Sequence, residues 1–197
     1  LHEAVFNCME SLIPEYSAFG AVREPAGSAL PGIAPSNAYP CTDGWVLVAG
    51  NGDSIFKRLM ATIDRQDLAD DAQLADNAGR VARVAEIDAA IGTWTGQHSV
   101  AQVMERLAAA RVPAGKVYTA KDIAEDPHYQ ARGMLLQQQT RDGYSITVPG
   151  VVPKLSATPG TVRTSAPHLG DDTDAVLMDA GLTREQIALL RGKGVIQ

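Results

Sequence analysis

Residues 39–63 constrain the fold more than any other part of the sequence. Thr42-Asp43-Gly44 separates Tyr39-Pro40-Cys41 from the apolar run Trp45-Val46-Leu47-Val48-Ala49, and Asp-Gly between apolar runs is a strong hairpin signal. Gly50-Asn51-Gly52-Asp53 then turns the chain into a segment whose Ile55, Leu59, Met60 and Ile63 recur at helical spacing. Asp53 or Ser54 is the expected N-cap. A hairpin feeding straight into an amphipathic helix points to a mixed chain, α+β or α/β.

The flanking sequence agrees. Val5, Cys8, Met9 and Leu12 predict a helix over residues 1–13, ended before Pro14. Residues 20–40, rich in Pro, Gly, Ala and Ser, read as a linker or ordered loop. Residues 66–77 are short, polar and acidic, and residues 79–92 predict a helix with Val81, Val84, Ile87, Ala90 and Ile91 inward. Ser99 and Gln102 form a capping box ahead of Val103, Leu107 and Ala110, and Val112-Pro113-Ala114-Gly115 stops that helix. Lys116-Val117-Tyr118 reads as a strand, Thr119 and Asp122 open a short turn, and Asp126-Pro127 starts a helix with Pro in its first position. A second hairpin is predicted around Arg141-Asp142-Gly143. Residues 149–167 read as loop, and residues 172–180 as a helix closed by Gly181. Thr183 and Gln186 make a further capping box, with Ile187 and Leu190 inward and Gly192 closing the helix.

Composition narrows the function. At 197 residues, 45% hydrophobic and 20% charged, the chain is too apolar for disorder and long enough for a core. Its longest apolar runs fall far short of the ~20 residues a membrane helix needs. A net charge of −6 repels phosphate backbones, so nucleic acid is not an expected partner. Cys8 and Cys41 have no CxxC spacing and read as unbridged thiols of a reducing compartment, Cys8 on a core-facing helix stripe. With no secretion signal the expected location is cytoplasmic.

Reactive groups are sparse. Gly50-x-Gly52 could open an anion site at a helix N-terminus, but Ile55 stands where a dinucleotide fingerprint needs glycine and no Gly-Lys-Ser/Thr follows. It reads as a plain strand-to-helix turn. His2, His98, His128 and His168 are scattered, so no metal site is expected. Asp70-Asp71 and Asp171-Asp172 read as helix N-terminal charges rather than catalytic pairs. Residues 26–32 are flexible enough to cover a ligand or to serve as a tether.

Three blocks carry a resemblance. The first is Ala34-Pro35-Ser36-Asn37-Ala38-Tyr39-Pro40 with Asp43-Gly44-Trp45-Val46 and Asn51-Gly52-Asp53. The second is Asp76-Asn77-Ala78-Gly79-Arg80-Val81-Ala82-Arg83 with Trp94, Val112-Pro113-Ala114-Gly115 and residues 122–129. The third is Ser165-Ala166-Pro167-His168-Leu169-Gly170 through Gly181-Leu182-Thr183 to Leu190-Arg191-Gly192-Lys193-Gly194-Val195-Ile196. Together they resemble the second half of a CoA-transferase of family III, the CaiB/BaiF type, and the run Val148-Pro149-Gly150-Val151-Val152-Pro153-Lys154-Leu155-Ser156 is most similar to the dicarboxylate-type enzymes. The resemblance covers nearly the whole chain, and the opening Leu1 in place of Met fits a fragment.

The resemblance implies an interlocked homodimer. Residues 1–31 would be a helix and linker, 32–128 a small α+β domain, and 129–197 a segment returning to a Rossmann-like α/β domain. It implies coenzyme A as substrate or carrier, an acyl-CoA and a small carboxylic acid as partners, and an aspartyl-CoA intermediate on an Asp that precedes this chain. No catalytic residue is therefore expected here. The family's glycine-rich loop, which faces the partner subunit's active site, corresponds to residues 27–35. That makes Gly27, Ser28, Pro31, Gly32 and Pro35 the candidate substrate-binding residues, with Ala, Leu and Pro in place of most of the glycines. Arg23 could meet a dicarboxylate or be an exposed linker residue. The alternatives are a 2-methylacyl-CoA racemase of the same superfamily and a non-catalytic dimerisation module.

Overall fold

The structure is a computed structural model describing residues 2–9 and 11–197. It divides into two compact units, residues 1–117 and residues 118–197.

The first unit opens with α1 (His2–Asn7) and α2 (Leu12–Phe19). The predicted single helix over residues 1–13 is thus two helices, and Leu1 lies outside the described residues. Pro14 does not end it. It is the third residue of α2, where a helical N–H has no intrahelical partner and its loss costs nothing. Cys8 falls in the turn between the helices and is exposed, which corrects its placement on a core stripe.

β1 (Ser36–Cys41) and β2 (Gly44–Ala49) form the predicted hairpin, and β3 (Ala114–Lys116) pairs antiparallel on the far side of β2. The linker expected over residues 20–40 therefore ends at Ser36. Pro40 is tolerated because β1 is an edge strand. β3 starts two residues earlier than predicted, since it is Ala114, Gly115 and Lys116 that register with Val48, Leu47 and Val46. Along β2, Val46 and Val48 are buried while Trp45 and Leu47 stay half exposed, the period-2 alternation of a one-sided sheet.

The buried face is covered by α3 (Asp53–Thr62), α6 (Val84–Thr95) and α7 (Val100–Ala109). Phe56, Leu59, Met60, Ile87, Ile91, Val103 and Leu107 fill the core with Val46 and Val48. The capping box at Ser99 and Gln102 forms as predicted. The hairpin turn adds a second cap, Asp43 Oδ1 accepting from the Val100 N–H at 2.7 Å. Between α3 and α6 lie α4 (Gln66–Ala69), a 3₁₀ turn (Ala72–Leu74) and α5 (Asn77–Ala82). The predicted 79–92 helix is broken at Arg83, whose φ of −118° leaves the helical region. The break shifts the rotational phase, so Val84 is exposed and the fully buried residue of α5 is Arg80. Gly79 is the close-approach residue there: a Cβ would sit 1.7 Å from the Gln73 carbonyl oxygen.

The second unit contains α8 (Ala120–Glu125), α9 (Pro127–Ala131), a hairpin of β4 (Leu135–Gln139) and β5 (Ser145–Pro149), α10 (Thr173–Asp179) and α11 (Arg184–Gly192). Thr119 and Asp122 cap a true helix rather than a turn, and Asp126 caps α9 with Pro127 in its first position. Gly192 is the last residue of α11, and the left-handed residue after it is Gly194 at φ +68°. Among the described residues of this unit, Ile187 is the one buried hydrophobic side chain.

Candidate functional site

Residues 27–35 fold as two consecutive turns beside the three-stranded sheet. The Ala29 N–H donates to Ala26 C=O at 3.3 Å, and the Ile33 N–H donates to Leu30 C=O at 3.3 Å. In the second turn Pro31 and Gly32 hold the central positions, with Gly32 at φ +81°, the arrangement of a type II turn. Residues 30–33 are exposed, whereas Ala34 and Pro35 are buried. The loop is tied at both ends. The Leu30 N–H donates to Ser36 C=O at 3.0 Å, and Pro35 C=O accepts from the Gly50 N–H at 3.0 Å.

Side chains from other elements complete its support. Ser28 Oγ donates to Asn37 Oδ1 at 2.7 Å, and Asn37 Nδ2 donates to Asp88 Oδ2 at 3.0 Å. Tyr39 donates its hydroxyl to Asp88 Oδ1 at 2.6 Å. Burial, reinforced by Asp88, pushes the Tyr39 phenol far above its usual range, so it remains a donor. On the other side Asn77 bonds to Gly32 and Ala34, and Arg80 reaches in from the core. The fully buried Arg80 guanidinium also donates to Leu74 C=O at 3.1 Å, Asn51 C=O at 2.8 Å and Asp53 Oδ1 at 2.8 Å. Its face lies 5.2 Å from the centroid of the Phe56 ring. Asp53 is therefore an ion-pair partner rather than a cap, and Gly52 is the N-cap of α3. The Gly50–Gly52 segment is a strand-to-helix turn held from inside the protein.

Next to the loop is a cavity of about 410 Å³ lined by Ser28, Asn37, Leu47, Ala49, Pro113 and Gly115. Of the five predicted residues, Ser28 alone lines it. Gly27, Pro31 and Gly32 are exposed in the turns, and Pro35 is buried beneath them. Two larger hollows lie elsewhere, one of about 580 Å³ around Leu169, Val176 and Ile196, the other of about 510 Å³ around Arg65 and Trp94. None of the five predicted residues lines either.

The other sequence candidates are occupied structurally. Arg23 is half buried and pairs with Glu15 and Ser11, which corrects its reading as an exposed linker residue; its hydrogen bonds hold the Glu15 carboxyl below the usual range. Asp71 caps the 3₁₀ turn and pairs with Arg83, while Asp70 sits at the C-terminal end of α4 and accepts from Gln66 rather than serving a helix N-terminus. Asp171 and Asp172 both bind Arg141. Burial, with Asp43 nearby, raises the Cys41 thiol, which makes a poor nucleophile. No group of His, Cys, Asp and Glu among the described residues could hold a metal ion. No helix among them is long and apolar enough to cross a membrane. The cavity beside the loop sets the Ser28 hydroxyl, which donates to Asn37, near Leu47, Ala49 and Pro113. Sequence reasoning missed Asn77, Arg80 and Asp88. The one available signal was the i, i+3 spacing of Asn77 and Arg80, which puts both on one helix face.

Comparison with known proteins agrees across the chain. The sequence profile of CoA-transferase family III matches residues 1–173. A succinyl-CoA–D-citramalate CoA-transferase of Chloroflexus aurantiacus is 40% identical over 198 aligned positions, covering all of this chain and 49% of that protein. The beta subunit of a succinyl-CoA–L-malate CoA-transferase from the same organism is 36% identical over 200 positions, again covering all of this chain and 49% of that protein. Among solved structures, a CaiB/BaiF family protein from Brucella suis superposes with a TM-score of 0.71 at 26% identity, covering 88% of this chain and 44% of that one. The fold is also that of Rv3272 from Mycobacterium tuberculosis, with a TM-score of 0.64 at 17% identity over 88% of this chain and 45% of that one. The chain spans about half the length of the curated relatives it matches.

Proposed function

The chain belongs to CoA-transferase family III, and from that premise we propose that it is part of an enzyme that moves CoA from an acyl-CoA to a small dicarboxylic acid. The observation that carries this reading is the 40% identity, across the whole chain, to a protein named as a succinyl-CoA–D-citramalate CoA-transferase.

In this reading the nucleophile is an Asp in the half of the relatives' length that this chain does not span. Its carboxylate attacks the thioester carbonyl and expels CoA thiolate, leaving an acyl-aspartyl anhydride. The thiolate attacks the aspartyl carbonyl and releases the donor acid, giving aspartyl-CoA. The acceptor carboxylate then attacks that thioester, CoA departs again, and its return to the acceptor acyl group regenerates the Asp. Binding of the remote CoA supplies free energy toward each transition state. No metal takes part, and the enzyme is cytoplasmic.

This chain contributes the walls. Gly27, Ser28, Pro31 and Gly32 face the active site of the partner subunit in an interlocked homodimer, with Pro35 buried beneath them as their support. Residues 32–128 form the small α+β domain, 1–31 the helix and linker into it, and 129–197 return to a Rossmann-like large domain. The involvement of Asp71, Asp126 and Asp171 in hydrogen bonds with Arg83, Tyr118 and Arg141 supports placing the nucleophile elsewhere.

The test is CoA transfer from succinyl-CoA to a panel of dicarboxylic acids, followed by chromatography. The chain alone is expected to give no acceptor-CoA, and a full-length transferase containing it is expected to give one. Turnover by the chain alone would overturn the placement of the nucleophile. A full-length enzyme that exchanges the α-proton of a 2-methylacyl-CoA for solvent deuterium without moving CoA would instead be a racemase. One inert in both assays would leave a dimerisation module.

A further inference from the structure

Asn77 and Arg80 stand three residues apart on α5 and reach the same piece of chain. Asn77 uses both halves of its amide on it: Nδ2 donates to Gly32 C=O at 2.9 Å, and Oδ1 accepts from the Ala34 N–H at 3.1 Å. Arg80 Nε donates to Ala34 C=O at 3.0 Å. Both backbone polar groups of Ala34 are thus held by side chains rather than by a strand ladder. A planar amide carrying one donor side and one acceptor side fixes direction as well as distance. At the other end Ser28 is tied to Asn37 and Asn37 to Asp88. Between the two clips the turn of residues 30–33 faces solvent beside the 410 Å³ cavity.

Burial explains Arg80, which fills the core and satisfies four separate acceptors. It does not explain Asn77, which is half buried, lies outside the hydrophobic core, and sends both of its side-chain hydrogen bonds to the loop.

We propose that Asn77 is a positioning residue for residues 27–35, holding the exposed turn and Ser28 at a fixed place over the cavity so that the loop meets substrate already formed. This rests on the reading of residues 27–35 as lining an active site, and it names the residue outside the loop that sets its place. A loop ordered beforehand spares binding the entropy of ordering it. Without the clip the competent arrangement is one of several, and apparent affinity falls by the fraction of time it is occupied.

The variants are Asn77→Ala and Asn77→Asp. Asn77→Asp sets a carboxylate oxygen against the Gly32 carbonyl, and that repulsion drives the side chain off the loop, so Ala34 is expected to lose its acceptor as in Asn77→Ala. In this chain, hydrogen exchange at the Ala34 amide is expected to speed up about tenfold or more, while thermal melting read by tryptophan fluorescence stays in place. In the full-length transferase, KM for the acceptor acid is expected to rise about tenfold with a smaller change in kcat, as for a competent state reduced to about a tenth. Unchanged exchange at Ala34 overturns the proposal and leaves the proposed function standing. A lowered melt with faster exchange throughout the 36–117 core also overturns it, since Asn77 would then only stabilise the fold. Faster local exchange with KM and kcat unmoved overturns the catalytic role, and with it the reading of residues 27–35 as a substrate wall.

Discussion

Residues 34–117 and residues 118–197 use the same local grammar to different ends. Each has an antiparallel hairpin and helices opened by capping boxes, at Ser99–Gln102 in the first and at Thr119–Asp122 and Thr183–Gln186 in the second. The first closes its helices over one sheet face and buries a continuous cluster from Tyr39 to Val112. The second buries Ile187 alone among its described hydrophobic residues and leaves Leu169 85% and Val176 62% exposed. Short-range signals are enough to make elements, but a core also needs a facing surface of the right size. The same contrast appears at the start of the chain, where Phe19 on α2 is 82% exposed.

The comparison breaks most readily at Arg80. Arg80→Ala would strip the carbonyls at residues 34, 51 and 74 of a donor, and a buried acceptor left unsatisfied costs about 1–3 kcal/mol. Trp45 and Trp94 both lie in the first unit, so tryptophan fluorescence during urea unfolding reads that unit. A loss under about 1 kcal/mol would mean that Arg80 does not hold the unit together.

A paired truncation sharpens the contrast. Leu59→Ala in the packed core should cost about 2–5 kcal/mol in the same experiment. Ile187→Ala should leave the tryptophan transition in place and cost less than half as much by far-ultraviolet circular dichroism, because its exposed surroundings can close over the gap. Equal costs would show that the second unit is packed as well as the first.

The smallest effect is at low pH. Arg83 hydrogen-bonds both Asp71 and Glu86 and holds both carboxyls below their usual range. A lowered carboxyl contributes stability that is present above its ordinary pKa of about 4 and is lost as pH falls through the lowered value. Arg83→Gln should therefore flatten the decline in urea midpoint between about pH 5 and pH 3. The groups lie at the surface within reach of solvent, so the change is modest. An unchanged acid limb would show that these pairs do not act on stability.

Much of this was legible in the sequence. Asp43-Gly44, Arg141-Asp142-Gly143 and the capping pairs are signals carried by neighbouring residues, and each formed where it was read. What escaped depended on distant residues. Arg80 looks like a surface charge until the carbonyls of Ala34, Leu74 and Asn51 are brought around it by the fold. Val84 looks like a core residue until the break at Arg83 rotates it outward. Pro14 looks like a stop until the helix is seen to begin only two residues before it. The seating of residues 27–35 was hidden for the same reason, since its clips come from Asn37, Asn77 and Arg80.

Arg80 also decides where this chain can be cut. Its hydrogen bonds reach back to residue 34 and forward through 51, 53 and 74 to its own position. A boundary drawn anywhere inside that span, for a shortened variant or a split reporter, would part a buried cation from some of its shell. The long loop of residues 150–172 is stitched instead by exposed side chains, Lys154 to Gly133 C=O and Arg141 to Asp171 and Asp172, and it is the natural place for new termini or an inserted domain.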